Sequence, residues 1–272
     1  MSAPMDALSP LLVFAAVVAY AGAALATWRH MRDNGALWPA RTLSALALAL
    51  HLVLLGHIAI RHGGLSIGVG GALSLFAWQA ALLLWLFSLR QPVAALGLAV
   101  YPVAAACVVA DALLPRGNPA TAALAWPIQT HILLSLLAYG LLTLGAVQAL
   151  ALAIQHRQLH DRRPRGPVAA LPALQTMETL LFRLLAAGFF LLSLAILSGV
   201  LFVEDLFAQH LVHKTVLSLA AWLAFAILLW GRWRFGWRGR VAVRWTLSAY
   251  GALILAYFGS KLVLEWLLGR HW

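Results

Sequence analysis

A chain of 272 residues that is 63% hydrophobic and only 10% charged cannot hide its apolar surface in a water-soluble fold, where charge runs near roughly 25%. With a mean hydropathy of +0.89, it reads as a polytopic membrane protein. The net charge of +11 would suggest nucleic acid in a soluble protein, but here the cations fill short gaps between apolar runs, where they set orientation, so no nucleic-acid partner is expected.

The opening stretch, MSAPMDALS, has no Lys or Arg, so it lacks the basic start of a secretory signal and the first helix is expected to stay in the mature protein. Eight runs are long enough to cross a hydrocarbon core of about 30 Å, which takes about 20 residues. They cover 10–28, 41–60, 72–89, 92–114, 128–155, 178–202, 213–231 and 244–267. The fold class predicted is therefore all-α, a bundle of eight transmembrane helices in a single domain over 1–272. Four N-terminal helices occupy 1–115 and four C-terminal helices 128–268. Arg90-Gln91-Pro92 separates the third and fourth runs as a tight turn, which predicts a hairpin. Tyr101-Pro102 is a candidate break in the fourth run. Residues 156–177, rich in Pro and Arg, read as a cytoplasmic loop. Cys107, the single cysteine, excludes an intrachain disulfide and any CxxC chemistry.

The basic residues are distributed unevenly. Arg29, Arg32 and Arg41 lie in the first gap and Arg90 in the third. Arg157, Arg162, Arg163 and Arg165 follow in the fifth, and Arg232, Arg234, Arg238, Arg240 and Arg244 in the seventh; together these are 13 of the 19 Lys and Arg. The even gaps and the tail hold Arg61, Arg116, Lys214 and Arg270. The positive-inside rule then predicts odd gaps in the cytoplasm and both termini outside.

That orientation gives depth to the polar residues. His51 falls near mid-membrane, where a group able to charge needs a partner, a cofactor or a hydrogen bond to a neighbouring carbonyl. His57, six residues on and about 120° around the helix, forms no ligand pair with it and reads as a packing or interfacial residue. His131, Ser135 and Tyr139 follow at four-residue steps on one face of the fifth helix. His131 there is either an interfacial residue or a ligand for a metal or haem iron. Residues 197–222 gather Glu204, Asp205, His210, His213 and Lys214 between two apolar runs, as a wet outer loop or a site. Lys261 and Glu265 have the spacing of a local ion pair. The Trp- and Arg-rich segment 231–240 suits the headgroup region.

From His131 to Gly259 the chain resembles the integral-membrane cytochrome c assembly proteins, the CcsA/CcmF/CcmC haem handlers, and most of all their short YpjD-like branch. The residues carrying the resemblance are His131 and Tyr139, then Arg183, Gly188-Phe189 and Gly199. Lys214, Trp222 and Arg232 follow, then Gly236-Trp237-Arg238-Gly239-Arg240 and Phe258-Gly259. The resemblance implies haem handling at the periplasmic face. His131 would be one axial ligand, with His213 or His271 opposite it and Lys214 and Lys261 meeting the propionates. Tyr139 would line the same cavity, and His51 would hold haem in transit. Of the family's tryptophan-rich haem motif only Lys214 is present, with Phe202 and Phe207 the nearby aromatics, which argues against full synthase activity. The expected partners are haem, the bilayer and another assembly or inner-membrane protein. The competing reading is an accessory or regulatory membrane protein that contacts a partner and holds no cofactor.

Overall fold

A computed structural model describes residues 8–33, 35–62, 69–114, 126–160, 171–202 and 212–256. Every regular element among them is helical, as a bilayer demands of a chain that must pair its own backbone groups. The helices are α1 (Leu8–Asp33), α2 (Trp38–His62), α3 (Val69–Ser88), α4 (Gly97–Leu113), α5 (Trp126–His160), α6 (Leu174–Phe202), α7 (Val212–Phe235) and α8 (Gly239–Ile254). Seven are long and apolar enough to cross a membrane. The eighth is described for 16 residues only, and the rest of its expected span lies outside the described residues. Large apolar side chains such as Phe14, Ile60 and Trp230 stand outward, which only a lipid solvent tolerates on this scale. The protein is thus an all-α, polytopic membrane protein.

The helices form two compact units, Met1–Ala122 with α1–α4 and Ala123–Arg270 with α5–α8. In the first, α1 packs on α2 and α4, and the hairpin of α3 and α4 closes beside them. Ala16, Ala23, Ala47 and Ala104 are fully closed off, so these helices approach through small residues, as membrane helices do when no hydrophobic driving force separates them from lipid. The indoles of Trp78 and Trp85 clip α3 to α2 by donating to the carbonyls of Leu48 and Arg41, both at 3.0 Å. Arg41 replies with a 2.7 Å bond from Nη2 to the Ser88 carbonyl, closing the end of α3. The turn at Arg90-Gln91-Pro92 forms as expected, with a 3₁₀ turn over Ala94–Leu96 leading into α4. Pro102 does not break α4. It falls in the second turn, where one ladder bond is lost, and the Tyr101 ring folds back over Gly97, close enough to occupy the place of a Cβ.

In the second unit α5 packs on α6 and α8, and α7 on α8 and α6. The α5–α6 seam is reciprocal: Leu142 lies over Gly188 and Leu185 over Gly145. Leu142, Leu181, Leu185, Phe225 and Leu253 complete its core. At 35 residues α5 is about 50 Å long, well beyond the hydrocarbon thickness. It continues past the expected end at 155 because residues 156–160 carry no Pro or Gly to stop it.

Gly236 ends α7 in the left-handed conformation (φ 67°), its N–H bonded to the Arg232 carbonyl at 3.1 Å. Gly239 opens α8, also left-handed at φ 53°, and its N–H donates to Glu178 Oε1 at 2.8 Å. Glu178 thereby places a carboxylate at the positive end of α8. Consecutive helices run in alternate directions, so the start of α5, the end of α6 and the start of α7 share one end of this unit. The end of α5, the start of α6, the end of α7 and the start of α8 share the other.

Candidate functional site

His131 sits in the second turn of α5 and its ring faces α6, not lipid. Nδ1 lies 2.9 Å from the Ala195 carbonyl and 3.0 Å from Ser198 Oγ. A carbonyl only accepts, so Nδ1 must carry the proton. Ser198 Oγ in turn donates to the Ala195 carbonyl at 2.8 Å, which leaves its lone pair to accept from the same imidazole. With the proton on Nδ1, Nε2 is the nitrogen whose lone pair a metal would use. This is how proteins orient a histidine ligand: a hydrogen bond on one nitrogen presents the other to iron. Nε2 has no hydrogen-bond partner among the described residues and is not a buried orphan.

The stripe below it runs further than the sequence showed. Tyr139 donates a long bond (3.4 Å) to the Leu253 carbonyl. One step on, Thr143 Oγ1 donates to the Tyr139 carbonyl at 2.7 Å and so accepts from the Tyr250 hydroxyl, also at 2.7 Å. Beside it Trp222 stacks on Phe189 with ring centres 5.6 Å apart, and its indole N–H donates to Ser193 Oγ at 2.8 Å.

At the same end Trp126, 70% exposed, pairs with Phe202 at 6.0 Å. Lys214 is half-buried in the first turn of α7, with no hydrogen bond or ion pair to the described residues. His213 opens the same turn, but its side chain lies outside the described residues, as do Glu204, Asp205, His210, Lys261, Glu265 and His271. Among the described residues no three His, Cys, Asp or Glu side chains gather as a metal cage. Haem iron needs no such cage, because the porphyrin supplies four nitrogens and the protein only axial ligands.

His51 belongs to the first unit and is fully buried. Nδ1 is 3.1 Å from the Tyr20 hydroxyl and Nε2 is 2.9 Å from Ser74 Oγ. Both nitrogens are thus engaged, so iron would reach either only by displacing a hydroxyl. Tyr20 and Ser74, 31 and 23 positions away, carry no short-range signal that would have marked them as its partners. His57 has a buried Nε2 with no partner among the described residues.

Of the residues missed in the sequence, Ser198 and Ser193 are single hydroxyls in an apolar run, and Glu178 sat at the assumed start of a span. The Gly-Trp-Arg-Gly-Arg segment now has a physical reading. It is a two-glycine corner whose Trp237 covers Gly231 and stacks on Trp245 at 5.7 Å, while Arg232 lies over Phe182 at 4.7 Å and bonds the Trp237 carbonyl.

Fold and site together define a multi-pass helical membrane protein with an anchored imidazole at one end of its second unit. The chain belongs to the cytochrome C assembly protein family, which matches residues 38–268. This family is associated with haem handling. Inner membrane protein YpjD of Escherichia coli (strain K12) is 36% identical over 135 residues, which are 50% of this chain and 51% of that protein. An uncharacterized 28.8 kDa protein of Azospirillum brasilense is 39% identical over 144 residues, 52% of this chain and 53% of that one. Protein HemX of Brevibacillus brevis is 24% identical over 132 residues, 48% of each. The matches thus span about half the length of these curated relatives. No solved structure matches the chain.

Proposed function

We propose that this protein handles haem at the end of its second unit where α5 begins, with His131 Nε2 as an axial ligand to the iron. The observation that carries this reading is the anchoring of Nδ1 to the Ala195 carbonyl, which leaves Nε2 as the metal-ready nitrogen. Haem supplies an iron with an open axial position, and the donor chemistry of a neutral, oriented imidazole fits it. Lys214, a cation with no partner among the described residues, meets a propionate, and Tyr139 continues the polar wall. His213 or His271 is the opposite ligand, and Lys261 a second propionate contact. His51 is a transit position, reached by exchanging its Tyr20 or Ser74 bond for iron. The arginine-rich gaps lie in the cytoplasm, and the haem end and both termini in the periplasm of a bacterial inner membrane.

The test is spectroscopic. The protein is purified in detergent, supplied with haem, and its Soret band recorded for the wild type, His131→Ala and His131→Gly with added imidazole. The expected result is a band lost in the first variant and restored by imidazole in the second. No band after haem supply, or one indifferent to His131→Ala, overturns the proposal. The missing tryptophan-rich motif would then favour a cofactor-free accessory role contacting a partner membrane protein.

A further inference from the structure

At the end of the second unit opposite His131, the last turns of α5 and the first turns of α8 enclose a cleft of about 590 Å³, inside the roughly 300–1,000 Å³ range of small-molecule sites. Five cationic or titratable basic side chains line it: His156, Arg157 and His160 from α5, Arg240 and Arg244 from α8. Ala153 and Val243 supply its apolar part. Among the described residues no carboxylate lines the cleft, and Glu178 on the adjoining α6 is committed to the Gly239 N–H at 2.8 Å. The three arginines have no hydrogen bond or ion pair among the described residues, and His156 has a buried Nε2 with none either. Asp161, next after His160, lies outside the described residues.

The three guanidinium groups are exposed at the cleft, and like charges gathered there repel unless an anion sits between them. A phosphate oxygen pair is what a guanidinium fork recognises. We propose that the α5–α8 cleft is a phosphate-binding site, with Arg157, Arg240 and Arg244 holding the phosphate of an anionic phospholipid headgroup or of a phosphate-bearing solute. A lipid is favoured by position. The cleft lies at the helix ends of a membrane unit, where basic pockets between helices take anionic headgroups, and its apolar part suits the start of an acyl chain. This site is independent of the haem reading.

The experiment uses the full chain in detergent. Native mass spectrometry follows retention of phosphatidylglycerol against zwitterionic phosphatidylcholine, with inorganic phosphate and glycerol 3-phosphate as soluble competitors. The expected result is about one phosphatidylglycerol held per chain in preference to phosphatidylcholine. Each arginine near a membrane surface contributes roughly fivefold in affinity, so Arg157→Gln/Arg240→Gln should weaken retention by at least about tenfold. Arg234→Gln, at the same end but outside the cleft, should leave it unchanged. Arg157→Lys/Arg240→Lys, which keeps the charge and the fold, should recover part of the loss. Retention that the soluble phosphates cannot displace assigns the site to lipid; displacement by them, abolished in the double glutamine variant, assigns it to a solute. Equal retention of the two lipids with no soluble phosphate binding, or a double variant that behaves as wild type, overturns the proposal.

Discussion

Gly188→Ala tests whether the α5–α6 seam positions His131. The added methyl would stand 2.8 Å from both Cγ and Cδ2 of Leu142 and 3.3 Å from Leu141 Cβ. Carbon atoms settle near 3.5–4.0 Å, so the overlap is at least about 0.7 Å. Leu142 is fully enclosed and its Cγ is no loose end, so it must leave its rotamer or α5 and α6 must part. Overpacking of this kind costs about 1–3 kcal/mol. Parting the helices also stretches the 2.9 Å bond that orients the imidazole, so the haem binding proposed for His131 should weaken along with stability. The assay is unfolding by SDS titration from mild detergent, read by tryptophan fluorescence. Leu142→Ala alone should cost about 2–5 kcal/mol, yet much less in the Gly188→Ala background, because the methyl then occupies part of the cavity. The pair should fall short of additivity by about 1 kcal/mol or more. A Gly188→Ala protein as stable as wild type, or a double variant whose losses simply add, would refute the reasoning.

Two further outcomes concern the corner between α7 and α8. Gly239→Ala should cost about 1–3 kcal/mol in the same titration, since a left-handed φ of 53° is joined by a His156 ring atom 3.1 Å from the new methyl. Gly236→Ala, at φ 67° but with open space around it, should lose only the backbone part, about 1–2 kcal/mol; equal losses at the two sites would dismiss the His156 contact. Glu178→Ala should cost about 1–3 kcal/mol by stranding the buried Gly239 N–H, while Glu178→Gln, which keeps an acceptor oxygen, should lose visibly less. Equal exchange protection of the Gly239 amide in the two variants would count against this cap.

Much of the fold was legible because crossing a bilayer is a local requirement. Run length and charged ends located α1–α7 to within a few residues, and Arg90-Gln91-Pro92 marked the hairpin. The misses have equally local causes. Pro102 falls too near the start of α4 to break it, and α5 runs beyond its apolar stretch because no helix-stopping residue follows at once. Of the candidate site, His131 and the face it shares with Tyr139 could be read from four-residue spacing. Its anchor could not, since Ala195 and Ser198 are 64 and 67 positions away and look like any apolar helix.

The sequence alone therefore determined the solvent and the helices, and with them the family resemblance, because hydropathy, length and spacing are properties of neighbouring residues. Only the tertiary structure decided what faces what. It turned His131 toward α6 and so chose which nitrogen stays open, enclosed both nitrogens of His51 in hydroxyls, and brought Glu178 to the start of α8. The physical reason is that helices meeting through glycine and leucine lock at one register and rotation, and a rotation of a few tens of degrees would send each of these groups to a different neighbour.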